Sequence, residues 1–204
     1  ALLSALALLA GLCACGGKEK EPEADSGEEN KIEQQLPEGS ITLPIAHNDT
    51  LDPFKNISSV NRSLVTLLYD SLVCIDENFQ PQPLLAENYS LNGTQLSVTL
   101  KAAAFSDGSA VTAQDVIYSF EQAKKSDYYS PRLKGFDSAQ GNGNSVVFSL
   151  KKADIFAVSS LDFPIVKNGT VQAQGEETEL YKIIPPTGSG RYILSGSLPN
   201  ATLV

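Results

Sequence analysis

Few residues in this chain of 204 have the side chains and the spacing that chemistry requires. His47 is the single histidine, and one imidazole with no second histidine or cysteine nearby makes a poor metal site or general base. Gly188-Ser189-Gly190 lacks the lysine and the spacing of a phosphate-binding loop, and no G-x-S-x-G nucleophile elbow occurs. The sequence therefore predicts no catalytic residue, no cofactor and no metal ion, and it does not favour an enzyme.

Two acidic residues and one cysteine are better explained by structure than by chemistry. Asp107 precedes Gly108, but a single carboxylate without a D-x-D-x-D-G series is not a calcium loop, so a tight turn is predicted. Asp52 stands before Pro53, where it is expected to fix the exit from a strand, with contact to a ligand as the alternative. Cys74 follows apolar neighbours in the run SLVCID, which predicts a small buried side chain.

The elements that would position such residues are clearest between residues 83 and 120. Asn92-Gly93 lies between the runs ENYSL and TQLSVTL, and Asn-Gly favours a two-residue hairpin turn because both residues tolerate positive φ. Thr112, with Asp115 three positions later, resembles a capping box, and apolar residues at helical spacing follow it. A hairpin followed by a helix that begins near Thr112 is predicted.

Glycine, proline and polar clusters divide the rest of the chain into short elements. An amphipathic helix is predicted from Val60 through Leu72, with a strand in LVCID after it. Strands are also predicted from Ser40 and at Ile165, with a short helix near residues 154–160. A second hairpin is expected in which GFDSA and SVVFSL flank QGNGN, and the final RYILSGSLPNATLV predicts two strands with nothing to pair against. Because no strict βαβ repeat occurs, the predicted fold class is mixed α/β, or α+β.

The first fifteen residues, ALLSALALLAGLCAC, form an apolar run that is too short to cross a bilayer and typical of an export signal. No Met and no basic segment precede the run, so the start of the signal is expected to be missing. Leu12-Cys13-Ala14-Cys15 resembles a bacterial lipobox with Cys15 as the lipidated residue, since lipidation of Cys13 would place Leu12 where a small residue is expected. The alternative is a signal that is cleaved nearby without lipidation.

Residues 16–39 hold eight acidic residues against three lysines, with few apolar side chains. Such a segment cannot bury enough apolar surface to offset the entropy lost on ordering, so a disordered acidic tether is predicted. The tether supplies more than half of the formal net charge of −9. An acidic chain disfavours nucleic acid and anionic lipid as partners, which leaves the lipid anchor as the predicted link to the membrane.

Five groups of residues, taken in order, resemble one known family. They are Leu51-Asp52-Pro53, LLYDSLVCID from Leu67, LAENYSLNGTQLSVTLKAAAFSDGSAVTAQDVIYSF from Leu85, Phe163-Pro164-Ile165-Val166, and TGSGRY from Thr187. The order is similar to family 5 of the extracellular solute-binding proteins, the peptide- and nickel-binding components of ABC importers. The resemblance covers about Ser40 to Val204. The chain departs from it at Arg191, where proline is usual, and at Ala102-Ala103-Ala104, where Gly-Val is usual before Phe105.

The resemblance implies a type II periplasmic-binding-protein-like fold, of which residues 40–204 are the first lobe only. In the family this lobe has a main α/β subdomain and an inserted β-rich subdomain, which would here span residues 58–182. The second lobe, and with it the other side of the ligand cleft, would lie in a part of the protein beyond this chain. The alternative is a complete short protein, which we expect to bind no peptide tightly because half of the cleft is absent.

The resemblance also implies where a ligand would contact this lobe. Ile57, Ser58 and Ser59 match the position at which first-lobe backbone meets an extended peptide, in a mode similar to strand addition. Tyr129, or its neighbour Tyr128, is similar in placement to an aromatic residue that lines the cleft, with two surface tyrosines as the alternative. The groups that anchor peptide termini would come mainly from the second lobe.

The implied function is that of a substrate-binding lipoprotein that captures oligopeptides or dipeptides and delivers them to a membrane permease. Its partners would be a peptide ligand and an ABC permease and ATPase complex. Its location would be the outer face of the bacterial cytoplasmic membrane, where the lipid holds it. Two alternatives stay open: an importer receptor for nickel or another solute, and a surface signalling or chaperone-like lipoprotein that uses the same lobe.

Overall fold

The computed structural model describes residues 42–46, 48–170, 186–196 and 201–204. The predicted signal, lipobox and acidic tether lie outside these residues, as does His47. Leu43–Val204 form one compact unit. No helix within the described ranges combines the length and the apolar character needed to cross a membrane.

The described residues form short helices and antiparallel strands. In chain order these are α1 (Ser59–Leu68), β1 (Val73–Ile75), β2 (Pro81–Pro83), β3 (Ala86–Asn92), β4 (Gln95–Leu100), α2 (Ala113–Ala123), α3 (Ser130–Leu133), β5 (Phe136–Asn142), β6 (Ser145–Leu150), a 3-10 helix (Ala157–Ser160), β7 (Leu194–Ser195) and β8 (Thr202–Leu203). Strands β3-β4-β6-β5 make a four-stranded sheet, and β1-β2 and β7-β8 make two-stranded sheets. The predicted mixed class without βαβ units is confirmed.

The core lies between the four-stranded sheet and α2. Burial alternates along β4 and along β6, so that every second residue is buried. These residues are Leu96, Val98, Leu100, Val146, Phe148 and Leu150. This period of two is expected of a sheet with one covered face. Phe120 of α2 packs at the centre, with ring centroids 5.3 Å from Phe148, 5.8 Å from Phe136 and 6.3 Å from Phe163.

Both predicted hairpins of this sheet form, but their turns differ from the prediction. Asn92 pairs with Gln95, so the turn residues are Gly93 and Thr94, and of these only Gly93 has a positive φ, of 59°. A turn with glycine first needs one positive φ rather than two, which leaves the asparagine free to pair in the strand. The second hairpin repeats this arrangement with Gly143 at φ 62°, and three residues of QGNGN therefore belong to β5 itself.

The capping box and the Asp-Gly turn are confirmed. The Asp115 carboxylate accepts hydrogen bonds from the backbone N–H of Thr112 at 2.8 Å and from its hydroxyl at 2.6 Å, and α2 begins at the next residue. Gly108 has a φ of 82°, and the Asp107 carboxylate beside it pairs with Lys167 at 2.6 Å. The Lys167 ammonium and the Ser109 donors hold the pKa of Asp107 well below its usual range.

Helix α1 is shorter than predicted. Ser58 caps it by accepting from the N–H of Val60 at 3.2 Å, but the helix ends at Leu68 and not at Leu72. The Leu68 carbonyl accepts instead from the N–H of Gly190, at 3.0 Å, in a segment distant in sequence. Leu72 is fully buried although it lies outside the helix. Because a distant segment pairs with the last carbonyl of the helix, the residues around Leu68 give no sequence signal of where the helix ends.

Three predictions about short strands are wrong. Residues 42–46 form no strand. Ile165 belongs to no strand either; its N–H donates to the Asp70 carbonyl at 2.8 Å, next to a single bridge between Ser71 and Pro164. The two terminal strands do pair, because β7 and β8 pair with each other. The helix expected near residues 154–160 is present as the 3-10 helix.

The prediction that Cys74 is buried is also wrong, because its side chain is exposed. Only the first residue of β1, Val73, packs into the core, and Cys74 lies opposite Gln82 in a two-stranded sheet. The apolar neighbours of Cys74 in sequence therefore do not mean that both faces of this strand are packed against other parts of the protein.

Candidate ligand-binding site

A recess of about 600 Å³ lies between the amino end of α1 and the loop that joins α2 to α3. Its volume is in the range of small-molecule sites. Two segments line it: Phe54, Lys55, Asn56, Ile57 and Arg62 on one side, and Lys125, Ser126, Asp127 and Tyr128 on the other.

The first wall contains one residue of the predicted contact segment, Ile57, whereas Ser58 does not line the recess. The Asp49 carboxylate holds the segment in place. That carboxylate accepts from the N–H of Ile57 at 3.0 Å and from the N–H of Ser58 at 2.7 Å. The two donors are therefore already paired and are not open to the backbone of a ligand. Ile57 instead presents its side chain, which is 85% exposed and lines the recess. Ser59 begins α1 beside the recess and is not among its lining residues.

The second wall presents Tyr128, with Tyr129 behind it. Tyr128 is 48% exposed, whereas Tyr129 is 6% exposed and packs edge-on against Tyr128 and against Phe54. Burial raises the pKa of Tyr129 to about 12, because the phenolate form loses its hydration inside the protein. Tyr129, the residue expected to line the cleft, is buried and does not line the recess; the alternative, Tyr128, lines it, and Tyr129 packs against Tyr128.

Arg62 joins the two walls. Its guanidinium lies 3.9 Å from the centroid of the Tyr128 ring, and its Nη2 donates to the Ile57 carbonyl at 3.1 Å. A guanidinium over an aromatic face is attracted by the negative face of the ring, and the contact orients both groups. Arg62 escaped sequence reasoning because an arginine on an amphipathic helix is ordinary until the fold places the tyrosine above it.

Asn56 is the second residue that sequence reasoning missed. It is 7% exposed, and neither its Oδ1 nor its Nδ2 has a hydrogen-bond partner. The Nε of Arg62 is likewise buried without a partner. Buried amides are nearly always paired in folded proteins, so this pair of free groups marks the recess as unusual.

The charges of the recess are mainly positive, in an acidic chain. Its lining includes three cationic residues, Lys55, Arg62 and Lys125, and one acidic residue, Asp127, while the whole chain has a formal charge of −9. Within the described ranges, no three His, Cys, Asp or Glu side chains are grouped closely enough to hold a metal ion. The arrangement suits a polar or anionic organic ligand with an apolar part.

Residues 80–204, more than half of the chain, match the model of the bacterial extracellular solute-binding proteins, family 5, middle region. The chain belongs to that family.

Solved structures with the same fold include proteins that bind different solutes. AgaA from A. tumefaciens R10, solved with agropinic acid, is 21% identical with a TM-score of 0.65, over 76% of this chain and 33% of that chain. The oligopeptide-binding protein AppA from Bacillus subtilis, solved with a nonapeptide, is 22% identical with a TM-score of 0.61, over 80% and 34%. NikZ from Campylobacter jejuni, solved with Ni(L-His), is 18% identical with a TM-score of 0.58, over 76% and 34%.

The chain spans about a third of the length of these solved structures. The likeness establishes the fold, which is that of a single lobe of a periplasmic binding protein.

Proposed function

We propose that this chain is the first lobe of the substrate-binding protein of an ABC importer, and that the recess forms its wall of a cleft for peptides. Membership of family 5 supports the importer role. The observation that carries the peptide proposal is the recess itself, because Ile57, for which the family resemblance implied ligand contact, lines it together with Arg62 and Tyr128. Residues 58–182 are proposed to be the inserted subdomain of this lobe.

The mode of peptide contact that we propose differs from simple strand addition. Because Asp49 already accepts from the N–H groups of Ile57 and Ser58, a peptide carbonyl would have to displace that carboxylate. We therefore propose that the exposed side chain of Ile57 and the ring of Tyr128 contact the peptide. Apolar and aromatic surfaces of this kind accept many side chains, which is suited to a receptor of broad specificity.

The membrane attachment is a separate proposal, since Cys15 lies outside the described residues. We propose that Cys15 is lipidated and that the protein works at the outer face of the cytoplasmic membrane with an ABC permease and ATPase. Labelling cells with a radioactive fatty acid tests this. Cys15→Ser should abolish the label and Cys13→Ser should keep it; the reverse result would assign the lipid to Cys13.

The peptide proposal is tested with the protein translated from the complete coding region. It would be freed of bound solute, exposed to a mixed peptide library and analysed by mass spectrometry for what it retains. We expect retained peptides and an affinity reduced about tenfold by Tyr128→Ala. Phe79→Ala is the matched control, because Phe79 is an aromatic side chain 84% exposed and outside the recess. Retention of metal complexes without peptides would contradict the proposal.

A further inference from the structure

We infer that the recess binds a carboxylate group of the ligand through Arg62, with the amide of Asn56 as a second donor. This inference rests on the proposed function, and it names the chemical group that this lobe would recognise. The carboxylate is either the terminal carboxylate of a peptide or that of an acidic side chain.

Arg62 has hydrogen-bonding capacity that the protein does not use. A guanidinium has five N–H donors, and one contact, from Nη2 to the Ile57 carbonyl, is made here. The described residues include no carboxylate that pairs with Arg62. The guanidinium carbon lies 3.9 Å from the centroid of the Tyr128 ring, a contact that restricts the guanidinium while its unused N–H groups can still donate to a carboxylate.

Asn56 supplies the independent observation. Its side chain is more than nine-tenths buried, borders the recess, and has both amide atoms unpaired. A buried amide without a partner destabilises the fold, so it is expected where a ligand supplies the missing hydrogen bond. A carboxylate at Arg62 would accept from Nδ2 once the amide turns toward the recess.

The other charged groups around the recess do not neutralise Arg62. Lys55 is held 3.6 Å from the buried carboxylate of Asp52. Lys125 and Asp127 are both exposed on the second wall, where solvent screens them. Asp49 is occupied by backbone donors at the amino end of α1. A ligand carboxylate is therefore directed to Arg62 and not to the end of the helix.

The test uses nuclear magnetic resonance on the protein translated from the complete coding region, in which single arginine-to-methionine changes identify the signals of Arg62, Arg132 and Arg191. Their Nε–H signals would be followed while three tripeptides are added in turn: acetyl-trialanine, the same peptide as its carboxyl amide, and an amidated peptide that contains glutamate. Arg62→Met is the test variant. Arg132→Met is the matched control, because Arg132 also lies against the Tyr128 ring but is already paired with Asp162 at 2.6 Å.

We expect the free acid to shift the Arg62 signal in a saturable way and to bind about tenfold more tightly than the amide. The preference should vanish in Arg62→Met and persist in Arg132→Met. Binding of the free acid alone would assign the site to the peptide terminus, binding of the glutamate peptide alone would assign it to side-chain carboxylates, and binding of both would mean that it accepts either group. Equal binding of all three peptides, no shift at Arg62, or no binding of any tripeptide would overturn the inference. The library experiment tests peptide capture separately, so that failure of this inference alone would leave the proposed function standing.

Discussion

Gly188→Ala should unfold this lobe at a markedly lower temperature, because the segment 186–190 crosses the end of α1 in direct backbone contact. A Cβ at Gly188 would overlap the carbonyl oxygen of Leu68 and lie 2.8 Å from its carbonyl carbon. Both atoms are backbone, so no change of side-chain conformation relieves the overlap. The segment has to move away from the helix.

The size of the effect follows from what that movement breaks. Overpacking a rigid site costs about 1–3 kcal/mol. Retreat of the segment also weakens the hydrogen bond from the N–H of Gly190 to Leu68, at 3.0 Å, and that from the N–H of Ser106 to Gly188, at 2.7 Å. At about 1 kcal/mol for each bond, the free energy of unfolding should fall by about 4 kcal/mol. For a domain of this size the loss corresponds to a decrease in Tm of about 8 to 16 °C.

Thermal and urea denaturation, followed by circular dichroism, measure this loss. Gly135→Ala is the matched control, since a Cβ there meets no atom within 4 Å and the residue does not have a positive φ. The control should change the free energy of unfolding by less than about 0.5 kcal/mol. Equal stability of the two variants would refute the close packing of this segment on α1.

Further variants test other parts of the structure. Ser119→Ala should cost about 1–3 kcal/mol in urea denaturation, because the buried N–H of Val166 loses its acceptor at 2.9 Å; an unchanged midpoint would contradict this contact. Burial raises the pKa of Asp52 above 3.8, so Asp52→Asn should melt higher than wild type at neutral pH and lose that advantage in acid below this value. Hydrogen bonds from Lys167 and Ser109 lower the pKa of Asp107, so Asp107→Asn should melt at a lower temperature than wild type at neutral pH, and the difference should vanish in strong acid. If both substitutions shifted Tm in the same direction at neutral pH, the direction of one of the two pKa shifts would be refuted. The thiol of Cys74 should react with a disulfide reagent in the folded protein, in a chain whose two amino-terminal cysteines are replaced by serine, and slow reaction would mean that it is buried.

Elements controlled by neighbouring residues could be predicted from the sequence. The start of α2 depends on Thr112 and Asp115, and the sharp turn depends on Gly108, so local chemistry was enough for both. The two hairpins were predicted from the same kind of signal. The exact turn residues could not be predicted. A turn with two positive φ angles was expected, whereas each hairpin has a turn in which a single glycine has the positive φ.

Features controlled by distant segments could not be predicted. The end of α1 is set by Gly190, and the exposure of Cys74 is set by the absence of cover over most of β1. The recess depends on the same kind of contact, because Arg62 and Tyr128 are far apart in sequence and are brought together only by the fold. Strands β1 to β4 and helix α2 lie between them along the chain. The resemblance implied ligand contact at Ile57, but nothing local distinguished Arg62 or Asn56 from surface residues.

The position of a bound peptide on this lobe is the most direct test of its function. A tripeptide with a photoreactive benzoylphenylalanine would be crosslinked to the protein from the complete coding region and digested with trypsin. Ile57 and Arg62 fall in one tryptic fragment, residues 56–62, and Tyr128 falls in another, residues 126–132. We predict label in these fragments, displaced by excess unmodified peptide. Displaceable label confined to residues 135–151, which hold the β5-β6 hairpin, would contradict a ligand site at the recess.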